Sequence, residues 1–249
     1  IKQEVAYFLN LDEKGKALLN DEVSELMAWH DSVMLPRYAV YLRHQAEKLE
    51  NGEYGARAIT NSMAEGRTLL EDTVAGAAPY VSRILVHHTS SKDIKHVRQK
   101  MTERIDIQQE KLGHDLKSRV EERSERLTKN FERFIDNLNE RQKRLIDKYA
   151  ERTISDAQRR LDHRILRQSA FLNFLAQKPT ESEITEFTEQ ILLRSHEVVD
   201  PTYQKFSEES VNRITMLLSK ILMASTYDQR KITAKTIRNY AQDITDLSR

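Results

Sequence analysis

The stretch Trp29-His30-Asp31-Ser32-Val33-Met34-Leu35-Pro36-Arg37-Tyr38-Ala39 decides how the first third of the chain is read. It holds the only tryptophan and one of the four prolines among 249 residues. Apolar positions run Leu18, Leu19, Val23, Leu26 and Met27 before it, then Tyr38, Tyr41, Leu42 and Leu49 after it, and their helical phase is not reset at Pro36. A helix starting there would need a cap, and Leu35 is a poor one. The phase therefore predicts one helix, opened by Asp12 and kinked at Pro36. The proline ring there meets the Ser32 carbonyl and withholds its donor. Asn51-Gly52 closes this helix, with Gly52 suited to a left-handed cap.

Outward from that helix the chain reads as more of the same. A short helix or docking segment is expected over 1–10, and a second helix to about Val74. Gly76 to Pro79 reads as a break, with Pro79 starting a short helix through Val86. The stripe Val97, Met101, Ile105, Leu112, Leu116, Val120, Leu127 and Phe131 predicts a long helix over 92–138, which Gly113 or Thr128 would interrupt. Asn139-Glu140-Arg141-Gln142 has the form of a capping box, as does Thr180-Glu181-Ser182-Glu183. Pro201 and then Thr226 or Asp228 are expected to open the last two helices. The reading is all-α: a multi-helix bundle with a long, protruding antiparallel helix pair. It is taken as one domain over 1–249, with N-terminal helices in 1–89, the antiparallel pair in 90–178 and C-terminal helices in 179–249.

Composition supports long helices and narrows the chemistry. Hydrophobic residues are 39% and charged residues 32%, with only six glycines and four prolines, too few for the turns of an all-β fold. A net charge of +1 with interleaved acids and bases argues against a nucleic-acid surface, which needs clustered cations. The absence of cysteine removes disulfides and thiol chemistry. No apolar run is long enough to span a bilayer. The start at Ile1 without Met reads as a trimmed mature segment, from which an export signal or lipid anchor has been removed.

Two groups of residues are candidate sites. Trp29, His30, Arg37 and Tyr38 surround the Pro36 kink. Read as packing, Trp29 fills a core gap and His30 or a neighbour serves the freed carbonyl. Read as a pocket, Arg37 would meet an anionic group. Arg160, Arg164 and Arg167 share overlapping helix faces and read either as structural ion pairs, Arg164 with Asp162 for example, or as an anion or lipid-headgroup contact. His87-His88 and His96 lack the carboxylate–histidine spacing of a metal site, so neither metal nor cofactor is expected. No phosphate loop or nucleophile elbow occurs.

The segment Leu26-Met27-Ala28-Trp29-His30 followed by Leu35-Pro36-Arg37-Tyr38-Ala39 and Leu42-Arg43 resembles the signature of an uncharacterised lipoprotein family of Gram-negative bacteria. The family pattern is Trp-His followed by Leu-Pro-x-Tyr-Ala. Asn139 to Ile146 is similar to a family turn and helix start, Arg160 to Arg164 with Arg167-Gln168 to its Arg-rich helix, and Asp228-Gln229-Arg230 to its last helix. Asn139-Glu140 stands where Thr-Pro is commoner, and the lipid-bearing Cys is not in the sequence. The resemblance implies an exported periplasmic protein tethered to a bacterial membrane, the outer membrane first, through an N-terminal lipid. The leading expectation is a non-enzymatic binding protein whose partner is a protein or lipid of the cell envelope, with self-association through the long helix pair as an option. The alternatives are a periplasmic chaperone or envelope-stress adaptor, and a hydrolase using His30.

Overall fold

Four helix starts carry the side-chain caps that their sequences announce. Asp12 accepts from the Gly15 N–H at 2.8 Å. Asn139 with Gln142, Thr180 with Glu183, and Thr226 with Gln229 each close a complete capping box. Every cap satisfies N–H groups that a first turn leaves without partners.

The computed structural model describes residues 1–248, and among these there is no strand. The helices are α1 (Lys2–Phe8), α2 (Glu13–Trp29), α3 (Leu35–Glu50), α4 (Ala56–Leu85), α5 (Ser91–Leu112), α6 (Leu116–Glu132), α7 (Glu140–Thr153), α8 (Asp156–Leu175), α9 (Glu181–Leu193), α10 (Ser195–Val198), α11 (Tyr203–Met223) and α12 (Tyr227–Leu247). The chain is an all-α multi-helix bundle.

Helix α2 passes into α3 through one π-helical turn, His30–Met34. The helix therefore does continue through Pro36, while the buried face steps by one residue, from Met34 to Ala39. A π turn adds a residue to the repeat, and so lets the chain pass the step where proline removes a donor and crowds the Ser32 carbonyl. Beyond α3, Gly52 takes φ +83°, the left-handed conformation that favours glycine at a helix end.

Three sequence expectations are corrected. The break at Gly76–Pro79 is not there: α4 runs through both residues, with Pro79 inside it. Ala75, whose carbonyl Pro79 cannot serve, is exposed, so water can supply the bond. The 92–138 stripe is not one helix either. It stops at Gly113, and Asp115 caps α6 by accepting from the Ser118 N–H at 3.0 Å. The run expected from Asn139 through Leu175 is likewise divided, at Ile154-Ser155, into α7 and α8.

The helices form two compact units, each assembled from separated stretches of chain. The first comprises Ile1–His30, Glu71–Gly113 and Gln158–Gln204. Its core gathers Leu19 and Val23 from α2, Ile84 from α4, Val97 from α5, Leu172 from α8 and Ile184 from α9. In it α1 lies along α5, held where the Tyr7 hydroxyl donates to Glu103 at 2.8 Å and Arg104 meets Glu4 at 3.2 Å.

The second unit comprises Asp31–Leu70, His114–Ala157 and Lys205–Arg249. Its core draws on Ala46 and Leu49 from α3, Ile146 from α7, Leu217 and Ile221 from α11, and Ala234 from α12. Helix α12 packs along α3, and α6 pairs with α7. Arg123 donates to the Thr153 hydroxyl at 2.8 Å across the α6–α7 pair.

Candidate functional site

The signature residues separate into different local roles. Trp29 is half-buried in the first unit, with its indole against the backbone of α4. A methyl group placed on Gly76 would lie 1.9 Å from Trp29 Cζ2, far inside van der Waals contact. The Tyr80 ring is 6.4 Å from the indole, and Arg83 sits 4.6 Å over the Tyr80 ring. Arg83 in turn reaches Glu22 at 2.6 Å and Glu25 at 3.2 Å. Trp29 thus begins a column of neighbouring side chains that fastens α2 to α4, which is a packing role. His30 is half-buried next to Trp29, with ring centroids 6.5 Å apart. In the second unit Arg37 is exposed, with Nη1 at 3.6 Å from Met34 Sδ, and Tyr38 is half-buried.

The arginine face of α8 has a different character. Arg164 and Arg167 line one cavity of about 290 Å³ in the first unit, with Gln168, Phe171 and Leu85, closed on the α9 side by Thr188 and Ile191. Arg160 is half-buried and is not part of that lining. Among the described residues no carboxylate pairs with Arg164 or Arg167, so the expected Arg164–Asp162 ion pair is not formed. Burial lowers the pKa of the Arg167 guanidinium, and the nearby Arg164 charge adds to the effect.

Next along the same helix is a group that sequence reasoning missed. His163 is only 3% exposed. Its ring stacks on Tyr203 with centroids 3.4 Å apart, and Ser195 Oγ lies 3.5 Å from Nε2. Arg159 holds the neighbouring turn by donating to Asp200 at 2.7 Å and to the Thr202 hydroxyl at 2.5 Å. Burial first, then the Arg167 charge, lowers the His163 pKa from 6.5 to about 4.

His163 is therefore neutral in the folded protein, and protons enter the unfolded chain first as the pH falls. Stability is full above pH 6.5 and is lost between 6.5 and about 4. The expected loss by pH 5 is about 2 kcal/mol from this residue alone. Urea unfolding at pH 7 and pH 5 checks it: His163→Phe, which keeps a stacking ring, should lose less stability than the parent over that interval. An equal loss in both proteins would contradict the assignment.

The second unit contains a larger cavity, about 520 Å³. Its walls are aliphatic and aromatic, with Ile59, Met63, Phe131, Phe134, Leu218 and Ile237 contributed by five different segments. Polar groups stand together on the α3–α4 side. Ser62 donates to Gln45 at 2.5 Å, the Tyr41 hydroxyl donates to the Ser62 carbonyl at 3.0 Å, and Lys48 meets Glu65 at 2.8 Å. Burial and the Glu65 charge raise the Tyr41 pKa, while the Lys48 hydrogen bond holds the Glu65 pKa down. Tyr41 stays a neutral donor, and Lys48 and Glu65 neutralise each other.

The model of a family of unknown function (DUF6279) matches residues 7–204. The chain belongs to that family. No curated protein and no solved structure matches it. The matched residues of this DUF6279 member include the Trp29 column, the π turn, both arginines of the α8 cavity and His163. Among the described residues no three His, Asp or Glu side chains gather as a metal site would require; His87 is exposed and His88 buried near the end of α4. Of the expected site residues, the structure brings together Arg164 and Arg167 in one cavity. Gln168 and Phe171 lie one helical turn along the same face, a spacing that was visible. Thr188 and the cavity of the second unit depend on contacts between distant helices, for which a single sequence carries no signal.

Proposed function

We propose that the protein is a non-enzymatic binding protein of the bacterial cell envelope. Its second unit encloses a single acyl chain of a lipid. The observation that carries this reading is the cavity of about 520 Å³ walled by aliphatic and aromatic side chains. Its volume falls within the range of about 300–1,000 Å³ that small-ligand sites occupy. The polar groups at one side of it are already paired with each other, as suits a site whose occupant needs apolar contact more than charge. The periplasmic, lipid-anchored address rests on the Trp29-His30 and Leu35-Pro36-Arg37-Tyr38-Ala39 resemblance. Fractionation of cells expressing the protein, with a radiolabelled lipid precursor, tests that address separately.

The binding reading is tested by titrating the purified protein with an acyl-chain probe whose fluorescence rises in apolar surroundings. Saturation near one probe per protein is expected, with displacement by a phospholipid. Leu218→Trp fills the cavity and should weaken probe binding by about tenfold or more, with an unchanged helical spectrum. Equal binding by parent and variant would remove this cavity as the site. A second reading, a chaperone that receives apolar side chains of unfolded clients, draws on the same concave surface. It would be favoured by displacement with unfolded polypeptide and not with phospholipid.

A further inference from the structure

The cavity of the first unit differs from that of the second in one respect. Three of its lining residues carry buried polar atoms without a hydrogen-bond partner: Arg167 Nε, Gln168 Oε1 and Thr188 Oγ1. Thr188 is 7% exposed, so its hydroxyl has little access to bulk solvent. Buried polar groups are almost always bonded, and each neutral one left unmade costs about 1–3 kcal/mol. An unpaired guanidinium in such surroundings costs more. Three such atoms on one cavity wall are not what a structural cluster looks like. Arg159 and Arg83 show the structural alternative, since each is met by a carboxylate at 2.6–2.7 Å.

The chemistry of the wall defines what would satisfy it. Arg167 offers its N–H edge and Thr188 a hydroxyl, both suited to a carboxylate, while the Gln168 amide meets one only by turning its NH2 inward in place of Oε1. Arg164, exposed and also without a carboxylate among the described residues, adds a second positive charge. The remaining wall, Leu85, Phe171 and Ile191 among it, is apolar. We infer that this cavity is a binding site for an amphipathic carboxylate: an anionic group held by Arg167 and Thr188, with an apolar body against Phe171 and its neighbours. The site is separate from the acyl cavity of the second unit and stands whether or not that cavity holds a chain.

The test is calorimetric titration of the whole chain with decanoate, decanol, decyltrimethylammonium and inorganic phosphate. The parent and the filled Leu218→Trp variant are compared, so that any contribution of the second unit is seen as a difference between them. In Leu218→Trp decanoate should bind at one site, with decanol and the cation weaker by about tenfold or more, and the parent should add only what the acyl cavity of the second unit takes up. Arg167→Met keeps the aliphatic stem and should lose about tenfold in decanoate affinity, while the ligand-free variant melts higher because an unpaired buried charge is gone. Thr188→Val, nearly the same shape, should lose about threefold and covers the case in which Arg167→Met folds poorly. In the Leu218→Trp background, decanoate and decanol binding equally, undiminished decanoate binding after Arg167→Met and after Thr188→Val, or no decanoate binding in the millimolar range would each overturn the proposal. Phosphate binding as tightly as decanoate would overturn the amphipathic class. Loss of decanoate binding in Leu218→Trp alone would assign the carboxylate to the second unit.

Discussion

Replacing Gln142 with alanine should lower the unfolding free energy of the protein by about 3–4 kcal/mol, read from urea unfolding followed by helical signal. Gln142 is 0% exposed and is used at every polar atom. Its Oε1 accepts from the Asn139 N–H at 2.8 Å, completing the capping box of α7. Its Nε2 donates to the Ser225 hydroxyl at 2.9 Å, while Gln229 Nε2 lies 3.2 Å from Gln142 Oε1. Gln229 is the third residue of α12 and closes that helix's own capping box at Thr226, donating also to the carbonyls of Asp136 and Asn137 at 3.1 and 3.0 Å. Two capping boxes are therefore interlocked, and the start of α7 is fixed to the start of α12.

Removing one side chain from this set leaves several buried groups without partners, which is why the expected cost exceeds the roughly 1 kcal/mol of an ordinary cap. Asn139→Ala, which also loses the 3.0 Å bond to the Ala224 carbonyl, should fall between those values. A loss under about 1 kcal/mol for Gln142→Ala would mean the interlock contributes no more than a single cap.

Gly76→Ala should destabilise the protein by about 2–3 kcal/mol, although alanine is the better helix former by about 1 kcal/mol. The reason is the indole of Trp29, 1.9 Å from where the new methyl would stand. Neither partner can yield easily: the methyl is fixed on the α4 backbone, and the indole is flanked by the Tyr80 ring, 6.4 Å away and tilted to it. The two residues form a seat and its occupant. A double-mutant cycle separates them, since in Trp29→Ala the methyl has room and only the helix propensity remains. Gly76→Ala should then become stabilising by up to about 1 kcal/mol. The same sign in both backgrounds would show that the contact does not govern the position.

These two sites show which parts of the fold could be read in advance. Asp12, Asn139 and Thr180 were legible, and Thr226 was one of two choices, because a cap is a matter of a few neighbouring residues. The continuation of the helix through Pro36 was legible because apolar positions recur at helical spacing on both sides of it; the one-residue step of the π turn was not. Gly76 and Pro79 were misread as a break for the opposite reason. Their local meaning is interruption, but the glycine is there to admit a tryptophan some forty-seven positions earlier (76 minus 29). The end of the 92–138 stripe at Gly113 was offered by the sequence and not decided by it, since apolar spacing continues on both sides.

The candidate sites divide along the same line. Arg164 and Arg167 were visible as one face of one helix, so an anion contact could be named. Whether they were paired depended on what α9 and the surrounding helices bring to them, and those helices bring Thr188 and aliphatic side chains, with no carboxylate. Trp29 was equally visible, and its packing role became plain only with α4 beside it. His163 gave no sign at all, because its burial is created by Tyr203 from a separate helix.

The central claim, that the second unit holds a lipid acyl chain, is tested most directly in the cell. A photo-crosslinking amino acid placed at Met63, on the wall of the cavity, is activated in intact cells, and the purified protein is weighed by mass spectrometry. The expected product is the protein carrying a discrete lipid mass, lost when Leu218→Trp is present. Crosslinks to protein alone, or the same lipid adduct with the cavity filled, would contradict the claim.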